Sequence, residues 1–118
     1  MADWRDSVDS TTAEAARRLA EAPLWVLAGE QTGGRGRRGR AWASPRGNFH
    51  ATLVMRPGGA AADAALRSFV AALALREALV AVTGAGAAFA LKWPNDVLCI
   101  EGKVAGILLE SAGAGDRV

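Results

Sequence analysis

Runs of apolar residues, separated by polar and glycine-rich stretches, divide this chain of 118 residues into two predicted helices and five predicted strands. In chain order these are a helix over about 12–21, strands over 24–30 and 48–56, a helix over about 63–82, and strands over 87–93, 97–100 and 103–110. Because most of the strands are neighbours in sequence, they favour a mixed, largely antiparallel sheet with the helices packed on it, which is an α+β fold.

The ends of the predicted elements carry their own sequence signals. Thr11 and Glu14 have the spacing of a capping box at the start of the first helix. Asp63 is in a position to cap the second helix, and Gly84 follows that helix directly. The last two strands flank the pair 101–102, a two-residue connection that predicts a hairpin.

The stretch GRGRRGR, residues 34–40, sets four arginines among three glycines just after a predicted strand. Glycines let the backbone approach a ligand, and guanidinium groups offer paired donors to carboxylate or phosphate oxygens. The surrounding loop, 31–47, is long for a compact domain, which indicates function or disorder. An anion-binding loop, a solvated basic turn and an RNA-binding segment all fit the stretch, although four arginines release few counterions.

Two later segments also carry candidate chemistry. In LKWPND, residues 91–96, Lys92 lies among apolar residues, so its ammonium group either extends to water or holds a negative ligand group. Asp96 is a candidate magnesium ligand, although one carboxylate beside an amide also suits a plain turn. Gly106 interrupts the last strand, which indicates a close backbone approach, a bulge or simply a buried strand.

Composition and charge narrow the class of protein. Apolar residues make up 51% of the chain, charged residues make up 22%, and the net charge is +2, as in a globular protein with room for one core. Cys99 is the only cysteine, so an intrachain disulfide is excluded, and its apolar neighbours predict a buried thiol in a reducing compartment. No signal-peptide or membrane-spanning pattern is found, and we therefore expect a cytoplasmic protein that has no membrane partner.

Four segments together resemble the catalytic domain of biotin protein ligases. They are VDSTTAEA at 8–15, EQTGGRGRRGRAWASPRGN at 30–48, LKWPNDV at 91–97 and GKVAGILLE at 102–110. The resemblance implies the fold shared by class II aminoacyl-tRNA synthetases and biotin protein ligases. It also implies a two-step, Mg²⁺-dependent reaction, in which biotin and ATP form biotinyl-5'-AMP and a lysine of a biotin carboxyl carrier domain then takes the biotin.

The resemblance implies a role for individual residues as well. Arg37 and Lys92 would be catalytic, and Lys92 would bridge the carboxylate of biotin and the α-phosphate of ATP. The biotin-binding residues would be Ser10, Thr11, Thr12, Gln31, Gly34, Arg35, Gly36, Arg37, Lys92, Gly106, Ile107 and Leu108. The ATP-binding residues would be Arg37, Arg38, Arg40, Trp42, Lys92, Asn95 and Asp96, with Asp96 as the candidate Mg²⁺ ligand.

This sequence departs from the family pattern in two respects. Thr12 stands where these ligases commonly have asparagine, and the similarity ends before a further strand that completes the pocket. We therefore expect residues 1–118 to be the N-terminal part of the catalytic domain, incomplete at the C-terminus, without a helix-turn-helix domain or a C-terminal β-barrel. A lipoate-type ligase and a noncatalytic fragment that binds biotin or nucleotide are the alternatives. Nucleic acid is not an expected partner, and a homodimer is left open.

Overall fold

A computed structural model describes residues 2–56, 58, 63, 66–92, 96–100 and 102–110, apart from the side chain of Arg37. The helices are α1 (Thr11–Ala16) and α2 (Arg67–Thr83), and the strands are β1 (Ala2–Val8), β2 (Leu24–Gln31), β3 (His50–Val54), β4 (Phe89–Lys92), β5 (Asp96–Cys99) and β6 (Gly102–Gly106). Contacts between residues divide the described part of the chain into two compact units, one containing the described residues up to Gly58 and the other those from Asp63 to Glu110. That residues 1–118 are part of one catalytic domain stays a prediction.

The first unit is built on a mixed sheet with the strand order β1-β2-β3, in which β1 runs parallel and β3 antiparallel to β2. Buried residues alternate along β2, so that Leu24 and Val26 face the core while Trp25 faces away from it. Val54 of β3 and Ala15 of α1 complete this core. The alternation therefore fixes the face of the sheet on which α1 packs.

Strand β1 was not predicted from the sequence. Its residues, ADWRDSV, are mostly polar and exposed, so they show neither an apolar run nor an alternating pattern. The strand is instead held by parallel pairing with β2, from Ala2 opposite Trp25 to Val8 opposite Gln31. Backbone pairing at the edge of a sheet does not require apolar side chains, and the hydrophobic pattern therefore did not predict β1.

Helix α1 begins earlier and ends sooner than predicted. The N-cap residue is Ser10, whose Oγ accepts a hydrogen bond of 2.9 Å from the backbone N–H of Ala13. The capping box predicted for Thr11 and Glu14 is therefore wrong, since the third helical residue after this cap is Ala13. The α-helix ends at Ala16, and a separate 3₁₀ turn follows at Leu19–Glu21. The hydroxyl-bearing residues at 10–12 thus lie at the start of a short helix.

Ion pairs tie this helical segment to the N-terminal strand. Arg18 contacts both Asp3 and Glu21, and Arg17 contacts Asp9. Hydrogen bonds from Arg5 and then Arg18 hold the pKa of the Asp3 carboxyl below its ordinary value. Arg17, Asp9 and Glu21 are exposed and Arg18 and Asp3 are half-buried, so water reaches each pair and each adds only modestly to the free energy of unfolding.

Acid should weaken this set of ion pairs in a defined direction. Because the pKa of Asp3 is lower in the folded chain than in the unfolded chain, its stabilising effect is present above the unfolded pKa, about 4, and is lost as the pH falls through the folded value. We expect the thermal midpoint to fall below about pH 4. Thermal denaturation across pH should show a flatter fall for Asp3→Asn than for Asp63→Asn, an exposed aspartate outside these pairs. Equal slopes would contradict this role of Asp3.

The second unit contains an antiparallel sheet with the strand order β4-β5-β6, against which α2 packs through β4 and β5. Arg76 of α2 donates hydrogen bonds of 3.0 Å to the carbonyl groups of Gly86 and Phe89, and so fixes the entry into β4. Gly84 ends α2 in the left-handed region at φ 71°, as the sequence predicts. The hairpin between β5 and β6 is confirmed, although Glu101 lies outside the described residues.

Several details of this unit differ from the predictions. Helix α2 begins at Arg67, with Leu66 as its N-cap residue, rather than at the predicted cap Asp63. Strand β6 ends at Gly106, and the irregular pairing skips Val104, so the bulge lies there and not at the glycine. Cys99 is half-buried, so the prediction of a buried thiol is wrong.

The α+β class is confirmed, with the described strands divided between two three-stranded sheets. None of the helices in the part of the chain that the structure describes is long and apolar enough to cross a membrane.

Candidate active site

Hydroxyl and amide groups gather at the start of α1, where the end of β2 passes beside it. The Oε1 atom of Gln31 accepts hydrogen bonds from the backbone N–H of Thr11 at 2.7 Å and from Thr11 Oγ1 at 3.1 Å. Ser10 and Thr11 are buried, and Gln31 is half-buried. The helix N-terminus and the strand end thus hold each other through one amide group.

Thr52 of β3 extends this cluster across the sheet. Its Oγ1 lies 2.8 Å from Thr11 Oγ1 and 3.1 Å from Thr12 Oγ1. Thr52 is opposite Val26 in the pairing of β2 and β3, and therefore points to the face on which α1 packs. Three threonine hydroxyls from one helix and one strand consequently meet at one point.

The other end of the Gln31 amide connects to the arginine loop. Gln31 Nε2 donates to Ser44 Oγ at 3.0 Å, and Ser44 Oγ donates to the carbonyl group of Trp42 at 3.1 Å. Backbone bonds reinforce the connection, from Gln31 N to Ser44 O at 3.1 Å and from Trp42 N to Gly34 O at 2.9 Å. The loop is therefore anchored at its base to the cluster of hydroxyl groups.

The arginine loop itself folds into a tight turn. Arg35 and Ala41 form an antiparallel bridge, Gly36 N donates to Arg40 O at 2.7 Å, and a 3₁₀ turn spans Arg37–Gly39. Arg35, Arg38 and Arg40 are exposed, and Arg38 adopts the left-handed region at φ 60°. The turn thus presents guanidinium groups to solvent from a backbone that is closed on itself.

Gly34 is where the loop and the cluster come closest. An added Cβ would lie 2.5 Å from Ser44 Oγ, 2.7 Å from Trp42 O and 3.0 Å from Gln31 Nε2. Real Cβ atoms almost never approach other atoms so closely, so only glycine fits between the loop and the amide of Gln31.

Arg46 connects the C-terminal end of the loop to the sheet through hydrogen bonds and ion pairs. Its guanidinium group donates two hydrogen bonds to Asp6, at 2.7 and 2.9 Å, and its Nε lies 3.2 Å from Glu30. These contacts hold the pKa of Asp6 below its ordinary value and raise the pKa of Arg46. Arg46 joins the loop to both β1 and β2, although Asp6 is exposed and the pair is screened by water.

In the second unit, Lys92 and Asp96 stand opposite each other in the pairing of β4 and β5. Lys92 is the exposed last residue of β4. Asp96 Oδ1 lies 2.9 Å from Lys103 Nζ, an ion pair whose geometry is not that of a directed hydrogen bond. The carboxylate of Asp96 is therefore partly neutralised by a lysine of β6.

Comparison with known proteins identifies the family. The profile of the biotin/lipoate A/B protein ligase family matches residues 4–117. The chain belongs to this family. Over 115 residues it is 60% identical to the biotin–[acetyl-CoA-carboxylase] ligase of Paracoccus denitrificans, an alignment that covers 93% of this chain and 47% of that protein. The chain thus spans about half the length of this curated relative.

Solved structures of ligases from this family have the same fold. The biotin protein ligase of Aquifex aeolicus in complex with biotin and ATP superposes with a TM-score of 0.84 at 33% identity, covering 98% of this chain and 48% of that one. The biotin protein ligase of Leishmania major in complex with biotinyl-5-AMP gives a TM-score of 0.83 at 31% identity, covering 98% of this chain and 53% of that one. The fold expected from the resemblance is confirmed.

The structure brings together part of the site that the sequence predicts for a biotin/lipoate ligase. Within the first unit, one network connects Thr11, Thr12 and Gln31 to the loop, and Ser10 caps the same helix. Of the remaining predicted residues, Lys92, Asp96, Gly106, Ile107 and Leu108 belong to the second unit, and Asn95 lies outside the described residues. The assignment of all these residues to biotin and ATP stays a prediction, as does that of Gly34, Arg35, Gly36, Arg37, Arg38, Arg40 and Trp42.

Three residues that form hydrogen bonds in or beside the predicted site were missed from the sequence, namely Ser44, Arg46 and Thr52. Ser44 and Arg46 lie in the quoted loop segment but were not distinguished from its solvated residues. The alternation of β3 was a usable signal for Thr52, since it places the polar Thr52 on the same face as the apolar Val54. A polar residue on a core-facing position needs partners, and the threonines of α1 supply them.

The described residues do not by themselves suit a bound Mg²⁺ ion. Within the described ranges, no three His, Cys, Asp or Glu side chains lie close enough together to hold a metal ion. Asp96, the candidate ligand, already faces the ammonium group of Lys103, which competes with a cation for the carboxylate.

Proposed function

We propose that this chain provides the biotin-binding and adenylate-binding half of a biotin protein ligase, which forms biotinyl-5'-AMP from biotin and ATP and transfers the biotin to a lysine of a carrier domain. The observation that carries this proposal is the connection, through Gln31 and Ser44, of a cluster of hydroxyl groups to an arginine loop. Such a site suits a ligand that is neutral and polar at one end and anionic at the other.

The neutral end of the ligand would meet the cluster at the start of α1. The ring of biotin is a cyclic urea with a carbonyl oxygen and two N–H groups, so it needs donors and acceptors side by side. Ser10, Thr12 and Gln31 offer hydroxyl and amide groups of both kinds. The dithiolane ring of lipoate has no such groups, and it would leave the remaining donors and acceptors of these side chains unused. The cluster therefore favours biotin over lipoate.

The anionic end of the ligand would meet the arginines. Adenylation brings the carboxylate of biotin against the α-phosphate of ATP, and two unit charges about 4 Å apart repel by roughly 1 kcal/mol in water and about 4 kcal/mol at an effective dielectric constant of 20. The reaction therefore requires cations at the point of contact. Arg35, Arg37 and Lys92 are the proposed source of this charge, with Arg38 and Arg40 reaching the remaining phosphates.

The partner and the location of the ligase follow from the same proposal. The acceptor would be the biotin carboxyl carrier domain of a biotin-dependent carboxylase, and the name of the Paracoccus denitrificans relative gives acetyl-CoA carboxylase as the acceptor of that protein. The cytoplasm, where such carboxylases and ATP are found, is the proposed location. A homodimer stays a prediction without a described interface.

The test is exchange of labelled pyrophosphate into ATP, measured on the product of the complete reading frame that encodes this chain. We expect exchange that depends on biotin and is absent with lipoate, because only biotin satisfies the cluster. Exchange with lipoate and none with biotin would refute the proposal. Calorimetric binding of biotin without any exchange would instead favour a noncatalytic binding fragment.

A further inference from the structure

The hydrogen bonds around Thr52 have a direction that follows from their chemistry. The backbone N–H of Thr11 can only donate, so the Gln31 atom beside it at 2.7 Å is the carbonyl oxygen Oε1. That oxygen can only accept, and therefore Thr11 Oγ1 gives its single proton to it. With its proton used, Thr11 Oγ1 can interact with Thr52 only as an acceptor.

Each threonine has only one hydroxyl proton, and this also determines the directions of the hydrogen bonds of Thr52 and Thr12. Thr52 gives its single proton to Thr11, so its oxygen accepts the proton of Thr12 at a distance of 3.1 Å. The hydroxyl protons therefore run one way, from Thr12 to Thr52 to Thr11 to Gln31. Thr12 is left with oxygen lone pairs and no proton for a ligand.

This direction bears on the departure of Thr12 from the asparagine common in the family. An asparagine can present a carbonyl oxygen to an N–H of the ligand without help, whereas a threonine hydroxyl rotates freely and both donates and accepts. Thr52 removes this freedom by taking the proton. The hydroxyl of Thr12 then acts as a fixed acceptor, as the carbonyl group of an asparagine would.

We infer that Thr52 is a positioning residue of the biotin site, which orients Thr12 so that its oxygen accepts a hydrogen bond from a ureido N–H of biotin. The inference rests on the proposed function, and it adds a residue on β3 to the part of the biotin site that α1, β2 and the loop contribute in the first unit. Thr52 does not itself contact the ligand in this proposal.

The test compares Thr52→Val with Thr52→Ser. Valine keeps the size of the side chain and removes the hydroxyl, whereas serine keeps the hydroxyl. We expect Thr52→Val to weaken biotin binding by about tenfold, with a raised KM for biotin and little change in kcat, because a fixed acceptor is lost before the reaction begins. Thr52→Ser should restore both values. Calorimetry gives the Kd for biotin, and pyrophosphate exchange gives KM and kcat.

A double-mutant cycle with Thr12 separates positioning from packing. In the Thr12→Val background, Thr52→Val should cost almost nothing further, because the hydroxyl that it orients is absent. In the Thr12→Asn background the cost should also be small, since asparagine supplies its own acceptor. Additive losses, an unchanged Kd in Thr52→Val, or a Thr52→Ser variant as weak as Thr52→Val would overturn the inference. Unmodified protein that neither binds biotin nor catalyses exchange would refute the proposed function itself, and the role of Thr52 with it.

Discussion

Replacing Lys92 with methionine is expected to slow the formation of biotinyl-5'-AMP by about 10²–10³-fold, the typical cost of removing one group that stabilises charge in a transition state. Methionine keeps the length of the side chain and removes the positive charge that would separate the carboxylate and the α-phosphate. Because that repulsion peaks when the two anions meet, we expect a large fall in kcat and a smaller rise in the Kd for biotin. Single-turnover measurement of the adenylate, with calorimetry for the Kd, checks both values.

The second lysine of the chain supplies the matched control. Lys103→Met makes the same chemical change on the same sheet, where Lys103 pairs with Asp96 at 2.9 Å. We expect its effect on the rate to be much smaller, and limited to what the freed carboxylate of Asp96 does. Lys92→Arg should recover only part of the rate, because a planar guanidinium group replaces a compact point charge. If Lys92→Met and Lys103→Met slow adenylate formation equally, the positive charge of Lys92 has no specific role in the reaction.

The sequence was sufficient where the signal is local. Gly84 ends α2 with a positive φ because a helix that stops there needs a left-handed residue, and this requirement can be read from a single glycine. The hairpin of β5 and β6 follows from two apolar runs with a short connection between them. The arginine loop was recognised for a similar reason, since its glycines and arginines are adjacent in the chain.

The sequence was insufficient where the cause lies in a distant part of the chain. Strand β1 owes its conformation to backbone pairing with β2, and this pairing cannot be predicted from the mostly polar side chains of β1. Thr52 owes its role to hydroxyl groups forty positions away, on a helix whose packing against β3 no local pattern reveals. The resemblance to a family predicted Thr11 and Gln31 as site residues, but it did not predict the residues that orient their side chains. A hydrogen-bond network is a property of the tertiary structure, so it became visible only there.

The second large effect is expected from Gly34→Ala, one methyl group added at the base of the arginine loop. Its Cβ would lie within 3.0 Å of three atoms, Ser44 Oγ, Trp42 O and Gln31 Nε2, and two of these atoms form the bond that joins the cluster to the loop. Overpacking of this kind typically costs about 1–3 kcal/mol, so we expect the affinity for biotin to fall by roughly 10- to 100-fold. The backbone of Gly34 does not have a positive φ, and the cause is therefore steric.

Gly33→Ala provides the control for this prediction. It makes the same substitution at the preceding residue, where the nearest atom to an added Cβ is Asp9 O at 3.4 Å, an ordinary contact. Calorimetric titration with biotin should therefore separate the two variants, while thermal denaturation shows whether each is folded. Ser44→Ala in the Gly34→Ala background tests the mechanism, because removing the hydroxyl relieves the closest contact and should recover part of the lost affinity. If Gly33→Ala and Gly34→Ala bind biotin equally well, the loop adjusts without disturbing Gln31, and the coupling between loop and cluster is not needed for binding.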